Sequence, residues 1–318
     1  MSGKKKVILD VDTGVDDALG ILLATHSEDL DILGITTVSG NVPLQMATRN
    51  TLKVLQLVGK ENAISVYPGA YAPLIREPVY EYRVHGDDGM GGALSDMIVT
   101  AEPAKQRAAA FIVDQVNRYP NEVTLIMTAP LTNLAEAMRL DPLLNQKVGR
   151  IVSMGGAVKE ARGNITPEAE FNIYADPEAA RKVYHSGMKL TMVGLDVTEK
   201  ALLREKDIDR LKGTAYYDFV QTVTRDYLAF SERGTGVRAC AMHDPLAVAV
   251  AVRSDLVRTE KHYVDVETSS TLCDGQTVCD FKGRFGKKPN VDVALEVDAG
   301  RFIELFLSTL RKSETTRL

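Results

Sequence analysis

Short apolar runs alternate with helix-like segments along the N-terminal third of the chain. Residues 7–11 form a β-branched run of the kind found in buried parallel strands, and residues 32–38 form the next one. Helix patterns begin at Asp16 and over residues 44–58. Strands that alternate with helices indicate βαβ units, so we predict an α/β fold with an open, mainly parallel sheet flanked by helices.

The alternation continues to the end of the chain, with no internal repeat and no low-complexity linker. Further strands are predicted over residues 123–127, 150–154, 190–197 and 291–297, and helices over residues 104–118, 131–140, 177–186, 301–311 and within 206–230. Residues 71–94 predict a loop-rich insertion, and residues 256–288 a small antiparallel excursion. Neither has the character of a domain boundary, so residues 1–318 are predicted to form a single domain.

The composition excludes several classes of protein. Of the 318 residues, 38 are basic and 43 acidic, and a net charge of −5 does not suggest a nucleic-acid-binding surface. Asp10 ends the first apolar run after three residues, short of a signal peptide, and no run reaches the roughly 18 residues of a membrane span. Three cysteines without metal-finger spacing fit reduced thiols. We expect a cytoplasmic protein without nucleic-acid or membrane partners.

Four aspartates lie within eight residues, where the first predicted strand ends and the first helix begins: Asp10, Asp12, Asp16 and Asp17. Like charges this close raise one another's pKa, and a helix N-terminus offsets only about 0.3–1 kcal/mol per charge. A hard cation such as Ca²⁺ or Mg²⁺ offsets much more. The cluster therefore predicts a metal site, although Asp16 and Asp17 could also be solvated first-turn charges and Asp12 a helix cap.

Three kinds of chemistry could use this segment. A haloacid-dehalogenase-type phosphatase begins with Asp-x-Asp-x-Thr, but Thr13 stands fourth here and Gly14 fifth. An EF-hand needs Gly at its sixth and Glu at its twelfth position, where this chain has Val15 and Ile21. The third possibility is a metal site completed by residues elsewhere in the chain.

Several remote residues could complete such a site. His243 and Asp244 open an apolar helix pattern, where Asp244 could cap the helix or join His243 in an acid and metal pair. Asn41 follows the second predicted strand, and a carbonyl near Thr128, after another strand, is free of sheet pairing and could bind a cation. Met154 ends a further strand and precedes two glycines, which permit close approach of a ligand.

Polar loop residues suit a sugar. Asn164, Glu170 and Asn172 are amides and a carboxylate in one loop, and such groups bind hydroxyls well. His85 lies in the loop-rich insertion, from which it could reach a ligand.

Together these motifs resemble the inosine/uridine-preferring nucleoside hydrolase family (ribonucleoside N-ribohydrolases). The acidic opening, the Ala-Glu-Phe-Asn motif and the His-Asp-Pro motif occur in this order, and the resemblance covers residues 10–18, 39–42, 84–92, 128–133, 154–157, 163–180, 243–248 and 290–302. It implies a Ca²⁺-dependent enzyme with an open α/β sheet that cleaves ribonucleosides to ribose and free base. It also implies a homodimer or homotetramer.

The resemblance also implies a role for each motif residue. The metal ligands would be Asp12, Asp17, Asp244 and the Thr128 backbone carbonyl. Asp12 would also accept a proton from the attacking water, His243 would assist the departing base, and Asp10 would support the site. Ribose contacts would come from Asp16 and Asn41 near the 2′-hydroxyl, Asn172 at the diol, Asn164 with Glu170 at the 5′-hydroxyl, and Met154 against the ring.

The sequence differs from the family pattern at two positions, and two other functions remain possible. Thr13 stands where many members have Pro, and Ala129 where Gly is frequent, but neither change removes a ligand. A non-catalytic nucleoside- or ribose-binding protein would keep the sugar-binding loop without needing four aspartates and His243. A Mg²⁺-dependent phosphatase would need a phosphate-binding lysine. The resemblance also places Tyr227 in a segment that lines the base pocket, where it could stack on the base, reach it through its hydroxyl or pack within its helix. Base preference stays open.

Overall fold

A central sheet organises the computed structural model, which describes residues 3–312. The strands of the described residues are β1 (Lys5–Val11), β2 (Leu30–Thr37), β3 (Val66–Pro68), β4 (Thr124–Met127), β5 (Arg150–Met154), β6 (Leu190–Val193), β7 (Leu202–Leu203), β8 (Cys240–Ala241), β9 (Val257–His262), β10 (Val264–Val266), β11 (Thr277–Cys279) and β12 (Val291–Val297). Eight of them form one sheet in the order β3-β2-β1-β4-β5-β6-β12-β9.

The pairing within this sheet is parallel from β3 through β12. Only the edge strand β9 runs antiparallel, against β12. The two small sheets of the described residues, β10 with β11 and β7 with β8, are antiparallel. The predicted α/β fold with an open, mainly parallel sheet is therefore confirmed.

Helices flank the sheet on both faces. In chain order they are α1 (Val15–His26), α2 (Leu44–Leu57), α3 (Tyr82–His85), α4 (Ala108–Arg118), α5 (Thr132–Leu140), α6 (Phe171–Ala175), α7 (Pro177–Tyr184), α8 (Leu195–Thr198), α9 (Glu205–Ile208), α10 (Tyr217–Thr235), α11 (His243–Val252) and α12 (Ala299–Lys312). Short 3-10 turns span Leu144–Gln146, Asp209–Leu211 and Ser254–Leu256.

Two hydrophobic clusters cover the two faces of the sheet. Successive side chains of a strand point to opposite faces, so Val7 and Leu9 pack into one cluster and Ile8 into the other. The first cluster includes residues of α1, α10, α11 and α12, and the second includes residues of α4, α5 and α7. The strands are thus buried on both sides, as their continuous apolar runs indicate.

The predicted strand over residues 190–197 is wrong in its second half. The strand ends at Val193, and α8 begins after Gly194. β-branched residues such as Val197 favoured a strand, but local preference is weaker than tertiary contacts. In the folded chain the Asp196 side chain instead accepts backbone N–H groups from a neighbouring loop.

Two other predictions need correction. The single long helix expected within residues 206–230 is interrupted: α9 is followed by a 3-10 turn, and α10 starts only after Gly213, whose φ of 86° favours glycine. The predicted excursion over residues 256–288 is partly wrong, because β9 joins the main sheet and only β10 and β11 form a separate hairpin. The other predicted elements are present, with ends that differ by up to four residues.

No helix within residues 3–312 combines the length and apolarity needed to cross a membrane. The predicted single domain stays a prediction. Residues 1–2 and 313–318 of that predicted domain lie outside the part of the chain that the structure describes.

Candidate active site

Four neighbouring parallel strands, β2, β1, β4 and β5, bring polar residues to one edge of the sheet. Asp10 lies near the end of β1, Asn41 follows β2, Thr128 directly follows β4, and Met154 is the last residue of β5. In open α/β sheets ligands bind at the carboxyl ends of the strands. The fold therefore brings together residues that the sequence places at separate strand ends.

Three carboxylates meet above this edge. Asp16 and Asp17 lie in the first turn of α1, and Asp244 lies in the first turn of α11. The two helices approach closely at Gly20, where a Cβ atom would lie 3.6 Å from the Asp244 backbone carbon. Each carboxylate offers an oxygen within 4.8 Å of the others, and all three side chains are buried. We call this group the aspartate cluster.

Asn41 connects Asp12 to the aspartate cluster by hydrogen bonds. The Asn41 backbone N–H donates to Asp12 Oδ2 at 2.6 Å, and its side-chain amide donates to Asp12 Oδ1 at 3.1 Å and to Asp17 Oδ2 at 3.2 Å. Asp17 also accepts from the Gly14 backbone N–H and from the Thr128 hydroxyl, each at 3.0 Å. Asn41 is therefore more than a turn residue, because its amide joins two buried carboxylates.

Two oxygens of the aspartate cluster lack hydrogen-bond partners among the described residues. Among the described residues, Asp16 Oδ1 and Asp244 Oδ2 are buried without a hydrogen bond. Burial raises the pKa of Asp12, Asp16, Asp17 and Asp244, and the charge of Asp17 adds to this for Asp12 and Asp16; the pKa of Asp16 rises to about 7. A divalent cation satisfies such oxygens and offsets their repulsion, so these residues fit a metal ion.

Asp10 lies beneath the site and supports it through partners of its own. Its Oδ1 accepts hydrogen bonds from the Thr36 hydroxyl and from the Asn133 side-chain amide, the latter at 2.7 Å. Burial raises the pKa of Asp10 to about 7. Asn133 also accepts from the Ala70 backbone N–H at 2.8 Å. Sequence reasoning missed Thr36 and Asn133, because nothing local marks either residue as a partner of β1.

The loop that contains Asn164 lies across from the aspartate cluster and leads into α6, which Glu170 caps. The Glu170 carboxylate accepts three backbone N–H groups, including that of Asn172 at 2.9 Å, and burial raises its pKa. Asn164 Oδ1 accepts the Phe171 N–H at 2.8 Å. The Asn172 amide donates to the Thr128 carbonyl at 3.1 Å. These bonds link the polar loop to the strand end beside the aspartate cluster.

The short helix α8 holds the start of this loop. The Asp196 carboxylate accepts four successive backbone N–H groups, those of residues 158–161, at 2.6 to 3.2 Å. Thr277 adds a hydroxyl that bonds both the N–H and the carbonyl of Ala157. The loop before Asn164 is thus held by side chains distant in sequence, and this arrangement has no signal in the sequence.

Two histidines and a tyrosine face the aspartate cluster. His85 Nδ1 accepts the Val15 backbone N–H at 3.0 Å and lies 4.0 Å from Asp16 Oδ1. His243 Nε2 lies 3.0 Å from the Tyr227 hydroxyl. Burial lowers the pKa of His85 to about 3 and that of His243 to about 4. Both imidazoles are therefore neutral near pH 7, and each retains one N–H that can donate.

One cavity of about 470 Å³ collects these groups, a size typical of small-molecule sites. All of the predicted site residues except three line it: Asp16, Asn41, His85, Thr128, Met154, Asn164, Glu170, Asn172, His243 and Asp244. The exceptions, Asp10, Asp12 and Asp17, are buried beneath it. Tyr227 and Phe230 of α10 supply aromatic surface at the histidine end. The cavity thus has an acidic floor, an amide wall and an aromatic end.

Comparison with known proteins agrees with this geometry. Residues 7–304 match the sequence profile of the family described as inosine-uridine preferring nucleoside hydrolase. The chain belongs to this family and is a nucleoside hydrolase. The family resemblance inferred from the sequence motifs is therefore confirmed.

Individual relatives of this nucleoside hydrolase match over almost their full length. The pyrimidine-specific ribonucleoside hydrolase RihB of Escherichia coli O157:H7 is 36% identical over 301 residues, which cover 94% of this chain and 95% of the relative. RihA of Salmonella arizonae, also described as pyrimidine-specific, is 38% identical over 311 residues, 96% of this chain and 98% of the relative.

Solved structures of nucleoside hydrolases share the fold. The plant nucleoside hydrolase PpNRh1 superimposes with a TM-score of 0.90 at 32% identity, over 96% of this chain and 98% of that chain. A purine-preferring ribonucleoside hydrolase from Gardnerella vaginalis gives a TM-score of 0.89 at 33% identity, over 97% and 99% of the two chains. These relatives therefore include pyrimidine-specific enzymes and a purine-preferring enzyme.

Replacing Gly40 by alanine tests whether this nucleoside hydrolase needs Asp12 in its observed position. A Cβ atom at Gly40 would overlap Asp12 Oδ2 and lie 2.9 Å from Pro130 Cδ. We expect Asp12 to be displaced and kcat to fall by about 10²-fold or more, because small misplacements of reacting groups cost this much. Steady-state kinetics measures the loss, and far-ultraviolet circular dichroism checks that the variant is still folded. Gly234→Ala is the matched control, since nothing lies within 4 Å of its Cβ position. Wild-type kcat in Gly40→Ala would contradict the expectation.

Proposed function

We propose that this nucleoside hydrolase cleaves the N-glycosidic bond of ribonucleosides of the inosine and uridine type, with Ca²⁺ as its resident ion. The observation that carries the proposal is the pair of unpartnered oxygens on Asp16 and Asp244, in a cavity whose opposite wall is lined with amides. Carboxylates there suit a cation and a developing positive charge, and amides suit sugar hydroxyls.

The donor set supports calcium. Asp12, Asp17, Asp244 and the Thr128 carbonyl offer oxygens alone, with Asp16 beside them, and Ca²⁺ accepts about six to eight oxygens in irregular geometry, including backbone carbonyls. Mg²⁺ demands a near-ideal octahedron and usually keeps several waters. When bound, the ion supplies a fixed point for the sugar diol and makes a neighbouring water more acidic.

The carboxylates act on the sugar. Breaking an N-glycosidic bond builds positive charge on the ribose ring, and preorganised carboxylates stabilise that charge. Asp12, which Asn41 holds in place, accepts a proton from the attacking water. Asp10 supports the strand end from beneath. A water held in line also converts a bimolecular attack into a positioned one.

Ribose orientation comes from the cavity walls. We assign the 2′-hydroxyl side to Asp16 and Asn41, the diol to Asn172, the 5′-hydroxyl to Asn164 with Glu170, and the ring face to Met154. Support for this assignment is that all six side chains line the same cavity as Asp244.

We assign the contacts with the departing base to the two histidines. His85 and His243 are neutral near pH 7, so each donates a hydrogen bond rather than carrying a charge. A donor aimed at the leaving nitrogen stabilises the negative charge that develops there. Tyr227 completes this end of the cavity. The homodimer or homotetramer and the cytoplasmic location predicted from the sequence also belong to this proposal.

The test is ribose release from inosine, uridine, cytidine and adenosine, with EDTA and after restoring Ca²⁺ or Mg²⁺. We expect release that EDTA stops and that Ca²⁺ restores better than Mg²⁺, and the order of rates gives the base preference. A nucleoside that binds but stays intact would indicate a binding protein. Hydrolysis of a phosphate ester with Mg²⁺, and of no nucleoside, would indicate a phosphatase.

A further inference from the structure

The Thr198 hydroxyl makes an unusual contact for a helical threonine. Its Oγ1 lies 2.8 Å from His243 Nδ1, across 45 residues of sequence. Other helical threonines, such as Thr48 and Thr224, donate to the carbonyl four residues earlier, the usual arrangement for this residue. Among the described residues, His243 provides the side-chain hydrogen-bond partner of the Thr198 hydroxyl.

The short length of α8 explains the difference. Thr198 is the last residue of α8, and four residues earlier stands Gly194, which caps the helix. The Gly194 carbonyl already accepts the backbone N–H groups of Val197 and Thr198. The Thr198 side chain is completely buried, so its hydroxyl hydrogen needs an acceptor inside the protein. The acceptor within reach is His243 Nδ1.

This contact favours one tautomer of His243. A neutral imidazole has one N–H and one lone pair. If the Thr198 hydroxyl donates to Nδ1, then Nε2 carries the hydrogen and faces the Tyr227 hydroxyl at 3.0 Å, on the cavity side. In the opposite tautomer Nδ1 would carry a hydrogen and could no longer accept the buried Thr198 hydroxyl hydrogen, an unfavourable arrangement inside a protein.

We propose that Thr198 is a positioning residue that keeps His243 in the tautomer whose Nε2–H points to the cavity. The proposal rests on the proposed function, in which His243 donates a hydrogen bond to the departing base. Thr198 itself does not line the cavity, so it acts only through His243. In this tautomer the Tyr227 oxygen accepts from Nε2–H, so the tyrosine hydroxyl hydrogen can turn toward a ligand.

The decisive variant is Thr198→Val, which keeps the side-chain shape and removes the hydroxyl. We expect kcat for inosine or uridine to fall by about 10²-fold, the lower range for loss of a proton donor, while KM changes little. A nitrophenyl riboside should be affected much less, because its leaving group departs without a donor. Thr198→Ser should restore most of the nucleoside rate.

Two controls separate positioning from a structural defect. Thr224→Val removes another fully buried hydroxyl of comparable size, outside the cavity, and should leave the ratio of the two substrates unchanged. Thr198→Val introduced into His243→Ala should cause no further loss, because the interaction is already gone. Equal losses on both substrates would overturn the proposal, and so would full nucleoside activity in Thr198→Val.

A direct measurement does not depend on turnover. Nitrogen-15 NMR of labelled histidine in the Ca²⁺-saturated protein distinguishes the two tautomers, with the His243 signals assigned by their loss in His243→Ala. We expect hydrogen on Nε2 in the wild type and in Thr198→Ser, and a changed pattern in Thr198→Val. Hydrogen on Nδ1 in the wild type would overturn the proposal. Absence of ribose release with the expected tautomer would instead reject the proposed function alone.

Discussion

Replacing Asp244 by asparagine is expected to remove tight calcium binding and to lower kcat by about 10³-fold or more. A bound metal ion contributes several kcal/mol to such reactions, and about 1.4 kcal/mol corresponds to a factor of ten. The substitution is nearly isosteric, and Asp244 Oδ2 has no hydrogen-bond partner among the described residues. The substitution therefore removes the negative charge and one carboxylate oxygen while it keeps the shape of the side chain.

Titration calorimetry with Ca²⁺ and steady-state kinetics with inosine measure the two effects. Asp207→Asn provides the matched control, because Asp207 is also a buried aspartate at the start of a helix but does not line the central cavity. We expect the control to bind Ca²⁺ as the wild type does. Unchanged Ca²⁺ affinity in Asp244→Asn would show that the aspartate cluster is not the metal site.

The metal-free protein is expected to lose stability as the pH rises from about 4 through about 7. Burial raises the pKa of Asp10 and of Asp16 to about 7 in the folded chain. In the unfolded chain such carboxyls titrate near ~3.9. The folded state therefore binds more protons between these values, so the stability present at low pH declines as these groups ionise.

Calcium should reverse this trend, since it binds the ionised carboxylates of the folded state alone. Thermal unfolding at several pH values between 5 and 8, in EDTA and in Ca²⁺, tests the expectation. The Tm in EDTA should fall across this range, and the increase given by Ca²⁺ should grow with pH. In Asp244→Asn both trends should be smaller. Parallel Tm curves in EDTA and Ca²⁺ would contradict the assignment.

The sequence alone was sufficient to predict the part of the site formed by residues that are neighbours in the chain. Asp10, Asp12, Asp16 and Asp17 could be placed near one another because a buried strand and a helix flank them directly. The parallel sheet followed from the alternation of elements, and the strand ends then indicated which loops meet. Asp244 lies far away in sequence; its His-Asp-Pro motif made it a candidate, and the family resemblance assigned it to the metal site.

Contacts between distant segments could not be predicted in this way. Residues 190–197 have the β-branched composition of a strand, yet Asp196 and Thr198 bond to groups 35 to 45 residues away. Such bonds depend on where α8 lies after the sheet has formed, and no local pattern encodes that position. Asn133 is another such case, since its partner Asp10 is 123 residues away.

The aspartate cluster combines residues from opposite ends of the sequence. Asp16 and Asp17 lie near the N-terminus, whereas Asp244 lies in α11, in the last third of the chain. During synthesis the N-terminal segment leaves the ribosome long before α11 exists. A nascent chain therefore carries an acidic segment that lacks its full ligand set until the last third has been made. A metal ion that needs all three carboxylates can therefore stabilise only a nearly complete chain.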